Sequence, residues 1–305
     1  DGVHYVHGKP LAESEFRNDP MHPMKESGLV RILQPQTRRK AASVSYEIVR
    51  QGPERLRKEL ESLRAEYNYV ILDVLEQADL SVIAEAVGDA RVICGSSALA
   101  EELARRIERR GAAAQVERPA CHPEKGMLIA AGSLMPQTAA QISHMKERGA
   151  ETIELDTLQI FDEDRRVSVI AGCAARACAS IDAGKTVIVH TAGDAEAVRL
   201  TKAEGARRGL SAMEISRLVS GAMAEIVHTV VHETRQYRFV IAGGDTSASV
   251  CRRLGVKGMT VWKEIQPGLP SCVSVGKQPM MFALKSGSFG TPDFFEAALA
   301  HLKEY

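Results

Sequence analysis

Short apolar runs alternate with amphipathic segments along most of the chain, and the alternation becomes regular from residue 53. Leu56, Leu60 and Leu63 recur at a spacing that places them on one face of a helix. Residues 69–73 then read Tyr-Val-Ile-Leu-Asp, which is typical of a short buried strand. Repeated strand–helix alternation indicates βαβ units, in which parallel strands form a sheet covered by helices.

The same pattern predicts the remaining elements. Strands are predicted at 69–73, 91–94, 127–131, 152–155, 186–190, 237–242, 259–262, 272–275 and 280–284. Helices are predicted at 78–87, 98–109, 137–148, 167–183 and 211–234, with further helices starting near 53, 194 and 292. The predicted fold class is α/β, with two domains that each contain a mainly parallel sheet flanked by helices.

The alternation of strand and helix patterns is interrupted between Gly111 and Lys125, where Pro and Gly recur without a sustained apolar period. We therefore predict a first domain at 1–111, a linker at 112–126 and a second domain at 127–305. At the start of the chain, Val3–Val6 followed by Gly8-Lys9 is interpreted as half of a hairpin that lacks its earlier partners. This interpretation leads us to expect a chain truncated at its N-terminus.

Composition narrows the classes of partner. Lys plus Arg and Asp plus Glu both number 39, so charge offers no argument for a nucleic-acid partner. No apolar run is long enough to span a bilayer, so no membrane partner is expected. The six cysteines include no CxxC pair, which argues against a structural zinc site and a disulfide framework and favours a cytoplasmic location.

Candidate chemistry lies at four predicted strand ends, where ligands bind in an open parallel sheet. Each end runs into a loop of Gly, Ser and Thr, at 132–138, 191–194, 243–247 and 285–290. Glycine permits close backbone approach, and free N–H groups at a helix start bind phosphate. In this setting Asp245 could hold Mg²⁺ and Lys285 could neutralise phosphate charge. The alternative is an ordinary turn in which Asp245 or Thr246 caps the next helix.

Three other motifs fit known sites poorly. Gly184-Lys185-Thr186 resembles the end of a phosphate-binding P-loop, but it precedes a predicted strand where that loop requires a helix. His228 and His232 have the spacing of two metal ligands, but no third ligand is evident. We therefore do not predict a metal site whose ligands are all protein side chains. No GxGxxG follows a strand, which disfavours a dehydrogenase-like binding module.

Three runs in the second half carry a resemblance to a known family. They are Val-Ile-Ala-Gly-Gly-Asp-Thr-Ser at 240–247, Gln-Pro-Gly-Leu-Pro at 266–270, and Ala-Leu-Lys-Ser-Gly-Ser-Phe-Gly at 283–290 followed by Asp-Phe-Phe at 293–295. The first half adds Asp-Gly-Val-His-Tyr-Val at 1–6, Asp-Pro-Met-His-Pro at 19–23, Glu-Ser at 26–27, Asp73, Asp-Leu at 79–80 and Gly-Ser-Ser at 95–97. In this order, over nearly the whole chain, the runs resemble the four-carbon acid sugar kinase family.

The resemblance implies ATP-dependent phosphorylation of threonate, erythronate or 3-oxo-tetronate, with the sugar acid on the first domain and ATP on the second. The nucleotide contacts it implies are Ser133, Gly243, Gly244, Asp245, Thr246, Ser247 and Gly287. We expect Asp245 to act in catalysis through Mg²⁺. His22 and Glu26 lie in a Pro-stiffened polar loop that we interpret as a substrate-side or hinge loop, with a solvated connector as the alternative.

The sequence also departs from the family pattern. The family's Gly-Ser-Cys-Ser loop reads Gly-Ser-Leu-Met at 132–135, so its second serine hydroxyl is lost. Ser288 stands where the family has Asn, and Ala248 stands where it usually has Gly. The family's opening Asp-Asp-Leu-Thr-Gly segment has no counterpart here. The alternative function is therefore a catalytically inactive nucleotide-binding fragment of such a kinase. An exposed sheet edge would favour association, so a homodimer stays open.

Overall fold

The computed structural model describes residues 1–19, 22–107 and 122–304. The chain divides into two compact units, Asp1–Ala112 and Ala113–Tyr305. Most of the predicted linker at 112–126 lies outside the described residues.

The first unit begins with a small antiparallel hairpin and continues as a two-stranded parallel sheet with helices. Its elements are β1 (Tyr5–Val6), β2 (Lys9–Pro10), α1 (Leu29–Leu33), β3 (Ala41–Val44), α2 (Tyr46–Val49), α3 (Pro53–Leu63), β4 (Tyr69–Leu72), α4 (Gln77–Val87) and α5 (Ser97–Arg105). β3 and β4 run parallel, with Ala41 opposite Tyr69. The apolar faces of α3, α4 and α5 form one core cluster with β3 and β4.

Two sequence interpretations are wrong in this unit. Val3–Val6 is not an unpaired half of a hairpin, because Tyr5 pairs with Pro10 and Val6 with Lys9 across a tight turn. Residues 91–94 do not form a strand. Val92 is 88% exposed, whereas Ile93 packs on the core cluster. Of this apolar run, Ile93 packs on the core cluster, and the run does not pair with another strand.

The second unit is built around a seven-stranded sheet. Its elements are β5 (Leu128–Ala131), α6 (Pro136–Glu147), β6 (Glu151–Leu155), α7 (Glu163–Asp182), β7 (Val187–Thr191), α8 (Ala195–Arg207), α9 (Ala212–Thr234), β8 (Arg238–Ala242), α10 (Gly244–Arg253), β9 (Met259–Gln266), β10 (Leu269–Ser274), β11 (Met281–Lys285) and α11 (Phe294–Lys303). The strand order is β6-β7-β5-β8-β11-β10-β9. Five neighbouring strands are parallel, and β10 runs antiparallel to both β9 and β11.

Both faces of this sheet are covered, which explains why its strands are almost continuously apolar. Along β5, Leu128 and Ala130 pack into a cluster with α7 and α9. Ile129 and Ala131 pack into the opposite cluster with α6 and α11. The period of two along the strand therefore divides one apolar run between two helical layers. The α/β fold class predicted from the sequence is confirmed.

Polar residues set the starts of the longer helices. The carboxylates of Asp162 and Asp194 accept hydrogen bonds from the amides of Arg165 (3.0 Å) and Ala197 (2.8 Å). Ser211 and Glu214 form a reciprocal capping box at the start of α9. Within the described residues, none of these helices is long and apolar enough to cross a membrane.

Candidate nucleotide site at the carboxyl edge of the large sheet

The loops that follow β5, β8 and β11 meet at one edge of the sheet because these three strands are neighbours. Backbone hydrogen bonds continue past the strand ends. The Gly132 amide donates to the Ala242 carbonyl at 3.0 Å, and the Gly243 amide donates to the Lys285 carbonyl at 2.9 Å. Three of the four loops predicted from sequence are therefore joined into one surface.

The glycines of these loops allow a close approach that no other residue would permit. A Cβ on Gly132 would overlap the Thr246 hydroxyl, and a Cβ on Gly287 would overlap the Ser133 hydroxyl. Gly243 has φ +123°, which side chains other than glycine rarely adopt, and its Cβ position lies 3.3 Å from the Ser133 amide nitrogen. Ser133, Gly243, Thr246 and Gly287 are thus brought together.

Helix α10 begins within this group without a side-chain cap. Gly243 is its N-cap, and no side chain accepts a hydrogen bond there. The capping alternative for Asp245 and Thr246 is therefore not what the structure shows. The first-turn amides of an uncapped helix carry partial positive charge, and they are suited to an anion.

Three side chains of this first turn have different environments. Asp245 is exposed, and its Oδ2 accepts a hydrogen bond from the Ser216 hydroxyl at 2.8 Å. Thr246 is 3% exposed and packs against the loop at Gly132. The hydroxyl oxygen of Ser247 is buried and has no hydrogen-bond partner in the part of the chain that the structure describes. Gly244 has open space around its Cβ position.

Lys285 points into the protein, whereas the sequence suggested that it neutralises phosphate charge. The residue is 2% exposed. Its Nζ donates to Thr138 Oγ1 at 2.9 Å, to Gln141 Oε1 at 2.8 Å and to the Gly287 carbonyl at 3.1 Å. Burial lowers the pKa of the ammonium to about 8. All three donors of the ammonium are used inside the domain.

Sequence reasoning missed Gln141 and Ser216, and it included Thr138 in the loop at 132–138 without giving it a role. Thr138 and Gln141 are both fully buried on α6, and their spacing of three residues places them on one helical face. A pair of polar side chains on the inward face of a helix that follows a glycine loop was the available signal. Ser216 carried no such signal, since α9 has to pack against α10 before Ser216 meets Asp245.

The fourth predicted loop, after β7, is used locally. Asp194 caps α8, as described above. The Thr191 hydroxyl is buried without a hydrogen-bond partner among the described residues. This loop follows β7, the neighbour of β5, so it flanks the three-loop surface.

His22 and Glu26 belong to the first unit. The backbone amide of exposed His22 donates to Asp19 Oδ1 at 2.7 Å. Glu26 Oε1 accepts hydrogen bonds from the amides of Ser27 (2.8 Å) and Gly28 (2.7 Å) and from Arg31 (2.9 Å). The Arg31 hydrogen bond is the largest cause that lowers the pKa of Glu26 to about 2. The carboxylate holds the start of α1, and the substrate-binding prediction for both residues stays a prediction.

The poorly fitting motifs have ordinary structural roles. Gly184-Lys185-Thr186 leads directly into β7. The rings of His228 and His232 lie 4.4 Å apart between centroids. Burial is the main cause that lowers the pKa of His228. In residues 1–19, 22–107 and 122–304, no three His, Cys, Asp or Glu side chains are grouped as metal ligands.

Comparison with protein families matches both units. Residues 128–295 match a family described as a nucleotide-binding C-terminal domain, and residues 1–103 match one described as a sugar-binding N-terminal domain. The first match includes all three loops of the surface described above.

Curated relatives include a 3-oxo-tetronate kinase of Pseudomonas savastanoi pv. phaseolicola, which is 34% identical over 98% of this chain and 67% of its own length. The 3-oxo-tetronate kinase of Cupriavidus necator is 30% identical over 96% of this chain and 66% of its own length. The chain thus spans about two thirds of the length of these relatives. The enzyme class predicted from the sequence, an ATP-dependent phosphotransferase, is the class to which they belong.

Two solved structures are also similar. One from Salmonella typhimurium LT2 has a TM-score of 0.75 and 26% identity, and the match covers 97% of this chain and 68% of that chain. One from Haemophilus influenzae has a TM-score of 0.63 and 29% identity, and the match covers 99% of this chain and 70% of that chain. Together with the curated kinases and both family matches, they show that the chain belongs to the four-carbon acid sugar kinase family.

Proposed function

We propose that the second unit binds ATP at its three-loop surface and that the chain transfers the terminal phosphoryl group to a hydroxyl of a four-carbon sugar acid. The acceptors proposed are 3-oxo-tetronate, threonate and erythronate. The observation that carries the proposal is the uncapped start of α10 at Gly243, which packs against Ser133, while Ser133 in turn packs against Gly287, where a side chain would fill the space.

This geometry suits the phosphates of ATP for two reasons. Amides of the first turn of α10 donate hydrogen bonds where the helix dipole favours negative charge. The Ser133 and Ser247 hydroxyls supply further donors, and Ser247 Oγ has no hydrogen-bond partner among the described residues. We therefore assign Ser133, Gly243, Gly244, Thr246, Ser247 and Gly287 to nucleotide binding.

Asp245 is the residue proposed to hold Mg²⁺. Its carboxylate is exposed at the start of α10, and its partner in the described structure is a neutral hydroxyl. Oxygen ligands are those that Mg²⁺ prefers. A bound Mg²⁺ would neutralise charge that develops on the transferred phosphoryl group. The remaining contribution of the protein is to position the nucleotide and to exclude water.

The sugar acid is assigned to the first unit, which matches a sugar-binding domain family. Its polar loop around His22 and Glu26 is proposed to contact the acid. One oxygen of Glu26 already accepts three local hydrogen bonds, which leaves Oε2 as the oxygen available to a ligand.

The test measures ADP release with each of the three acids, together with ATP affinity by calorimetry. Gly244→Val should abolish or strongly weaken ATP binding because its side chain would project over the helix start that receives the phosphates. The Cβ position of Gly244 is open, so the fold should remain intact, which circular dichroism checks. Gly258→Val is the matched control, since Gly258 has equally open space and lies between α10 and β9 at the opposite edge of the sheet.

The alternative is a chain that binds adenine nucleotide without transferring a phosphoryl group. The observation that favours it is the coverage of about two thirds of the relatives' length. ATP binding without ADP release for any of the three acids would support this alternative. Unchanged ATP affinity in folded Gly244→Val would contradict both readings of the site.

A further inference from the structure

The loop between β11 and α11, residues 286–291, accepts hydrogen bonds from side chains of helix α6. Thr138 Oγ1 donates to the Gly287 carbonyl at 2.9 Å. Gln141 Nε2 donates to the carbonyls of Phe289 (3.1 Å) and Thr291 (3.0 Å). Three backbone carbonyls of one short loop are thus turned towards the same helix.

Lys285 completes this arrangement. Its ammonium binds Thr138 Oγ1, Gln141 Oε1 and the Gly287 carbonyl, so it joins the two α6 side chains to each other and to the loop. The Nζ also lies 5.8 Å from the centre of the Phe295 ring on α11. A buried cation with three oxygen acceptors and no carboxylate among them is a costly feature that a purely packed core would not need.

The orientation of the carbonyls determines the orientation of the amides. In a trans peptide the carbonyl of one residue and the N–H of the next point in opposite directions. Since the Gly287 and Phe289 carbonyls point to α6, the N–H groups of Ser288 and Gly290 point away from it. Neither amide donates to another group within the described residues. Two outward amides in one loop form a site suited to an anion.

We propose that Lys285 is a positioning residue that, with Thr138 and Gln141, turns the carbonyls of loop 286–291 inward and so presents the Ser288 and Gly290 amides to the phosphates of the bound nucleotide. This inference rests on the proposed function. It gives Lys285 a role in phosphate binding that acts through the loop, without contact between the ammonium and the phosphate.

The state of protonation of Lys285 then controls the loop. The pKa of the ammonium is lowered to about 8 by burial. A neutral amine has two N–H donors and a lone pair, so either one of the three surrounding oxygens loses its donor, or the Thr138 hydroxyl turns to donate to the amine and releases the Gly287 carbonyl. Nucleotide affinity should therefore fall as the pH rises through about 8.

The groups that contact the Lys285 ammonium, and the residue opposite Lys285 on β8, are neutral or apolar. They are Thr138 and Gln141 on α6, Phe295 on α11, the Gly287 carbonyl in the loop, and Ala242 on β8. His144 on α6 and Arg148, which follows α6, both contact Glu296 on α11. Asp293 accepts a hydrogen bond from Thr291. No carboxylate therefore competes with the loop for the ammonium in the described structure.

The experiment measures the Kd for ATP in excess Mg²⁺ by calorimetry on the full chain, at pH values about one unit below and above the pKa of about 8. Wild type should bind more weakly at the higher pH. Lys285→Met should bind roughly ten-fold more weakly at the lower pH, since a charged hydrogen bond to the loop is lost, and should lose the pH dependence. Lys146→Met, an exposed lysine on the same α6, is the control and should behave as wild type.

Other outcomes are equally decisive. If folded Lys285→Met binds ATP as tightly as wild type, or if the wild-type Kd is the same at both pH values, the inference is wrong while the proposed function stands. If wild type binds no ATP, the proposed function itself fails. Should Lys285→Met not fold, Thr138→Val and the wild-type pH series decide, because Thr138→Val removes a hydrogen bond to the same carbonyl.

Discussion

Asp245 lies at the start of α10, where its carboxylate accepts a hydrogen bond from the Ser216 hydroxyl and does not cap the helix. An exposed carboxylate whose partner is a neutral hydroxyl has oxygen atoms available to coordinate a cation. A residue that only stabilised α10 would contribute through the cap or through the helix dipole. The two roles differ in whether the effect of a substitution depends on the metal.

Asp245→Asn should lower the turnover of an active kinase, and raising the Mg²⁺ concentration should recover part of it, because the amide retains an oxygen but loses the charge. Turnover measured against Mg²⁺ concentration checks this. Ser216→Ala is the control, since it removes the hydrogen bond to Asp245 and leaves the carboxylate in place. Normal turnover of Asp245→Asn at limiting Mg²⁺ would exclude the metal role.

Glu26 has its pKa lowered to about 2 from 4.5, first by the hydrogen bond from Arg31. A carboxyl whose pKa is lower in the folded protein stabilises it fully above the unfolded pKa, and this contribution is lost as the pH falls towards the folded pKa. As the pH falls from about 4.5 to about 2, the stability of wild type should therefore decrease more than the stability of Glu26→Gln. Thermal unfolding measured across that range tests the sign.

The same substitution also tests the substrate role of the loop. If Glu26 contacts the sugar acid, Glu26→Gln and His22→Ala should raise the KM for the acid more than the KM for ATP. Equal changes in both KM values, or no change, would support the solvated connector.

At the scale of elements, α9 depends on its first turn as well as on its apolar face. The Ser211 hydroxyl accepts a hydrogen bond from the Glu214 amide, and Glu214 Oε2 accepts one from the Ser211 amide at 2.8 Å. The helix has 23 residues and packs against α7 and α10. Weakening its start therefore affects two neighbouring helices.

Ser211→Ala should lower the free energy of unfolding by about 1 kcal/mol, because the Glu214 amide loses its acceptor and the Glu214 carboxylate loses the hydroxyl donor. Urea unfolding measures the change. Ser168→Ala is the control, since Ser168 is exposed in the middle of α7 and alanine favours the helix there. Equal effects of the two substitutions would show that the capping box contributes nothing specific.

At the scale of the molecule, each unit has a core of its own. Both clusters around the seven-stranded sheet consist of residues from the second unit. The third cluster consists of residues from the first unit. The three loops assigned to ATP all belong to the second unit. The proposed nucleotide site therefore depends on the folding of that unit.

A protein consisting of residues 122–304 should therefore fold and bind ATP with an affinity similar to that of the full chain. Circular dichroism and calorimetry check the fold and the affinity. The full chain carrying Gly244→Val is the control for non-specific binding. Loss of ATP binding in a folded 122–304 protein would show that the first unit contributes to the nucleotide site.

Much of the fold could be predicted from local pattern. Alternating strands and helices, the glycine loops at strand ends and the family runs were all visible in the sequence, because backbone geometry and burial on both sheet faces impose them locally. The pattern failed where apolar residues were few or ambiguous. β3, which reads Ala-Ala-Ser-Val, was missed because it becomes a strand by pairing with β4. Residues 91–94 were wrongly predicted as a strand because Ile93 packs, partly buried, on the core cluster without strand pairing.

By itself, then, the sequence determined the fold class, the family and the loops that meet at the sheet edge. Tertiary structure alone decided what the side chains near those loops do. Lys285 meets Thr138 and Gln141 across separations of 147 and 144 residues, and Asp245 meets Ser216 across 29. Local periodicity can mark a buried polar position, as it does for Thr138 and Gln141, but it does not identify the partner, because the contact arises only when the sheet brings distant strand ends side by side. The direction of a buried ammonium is set by which oxygens surround it once the chain has folded.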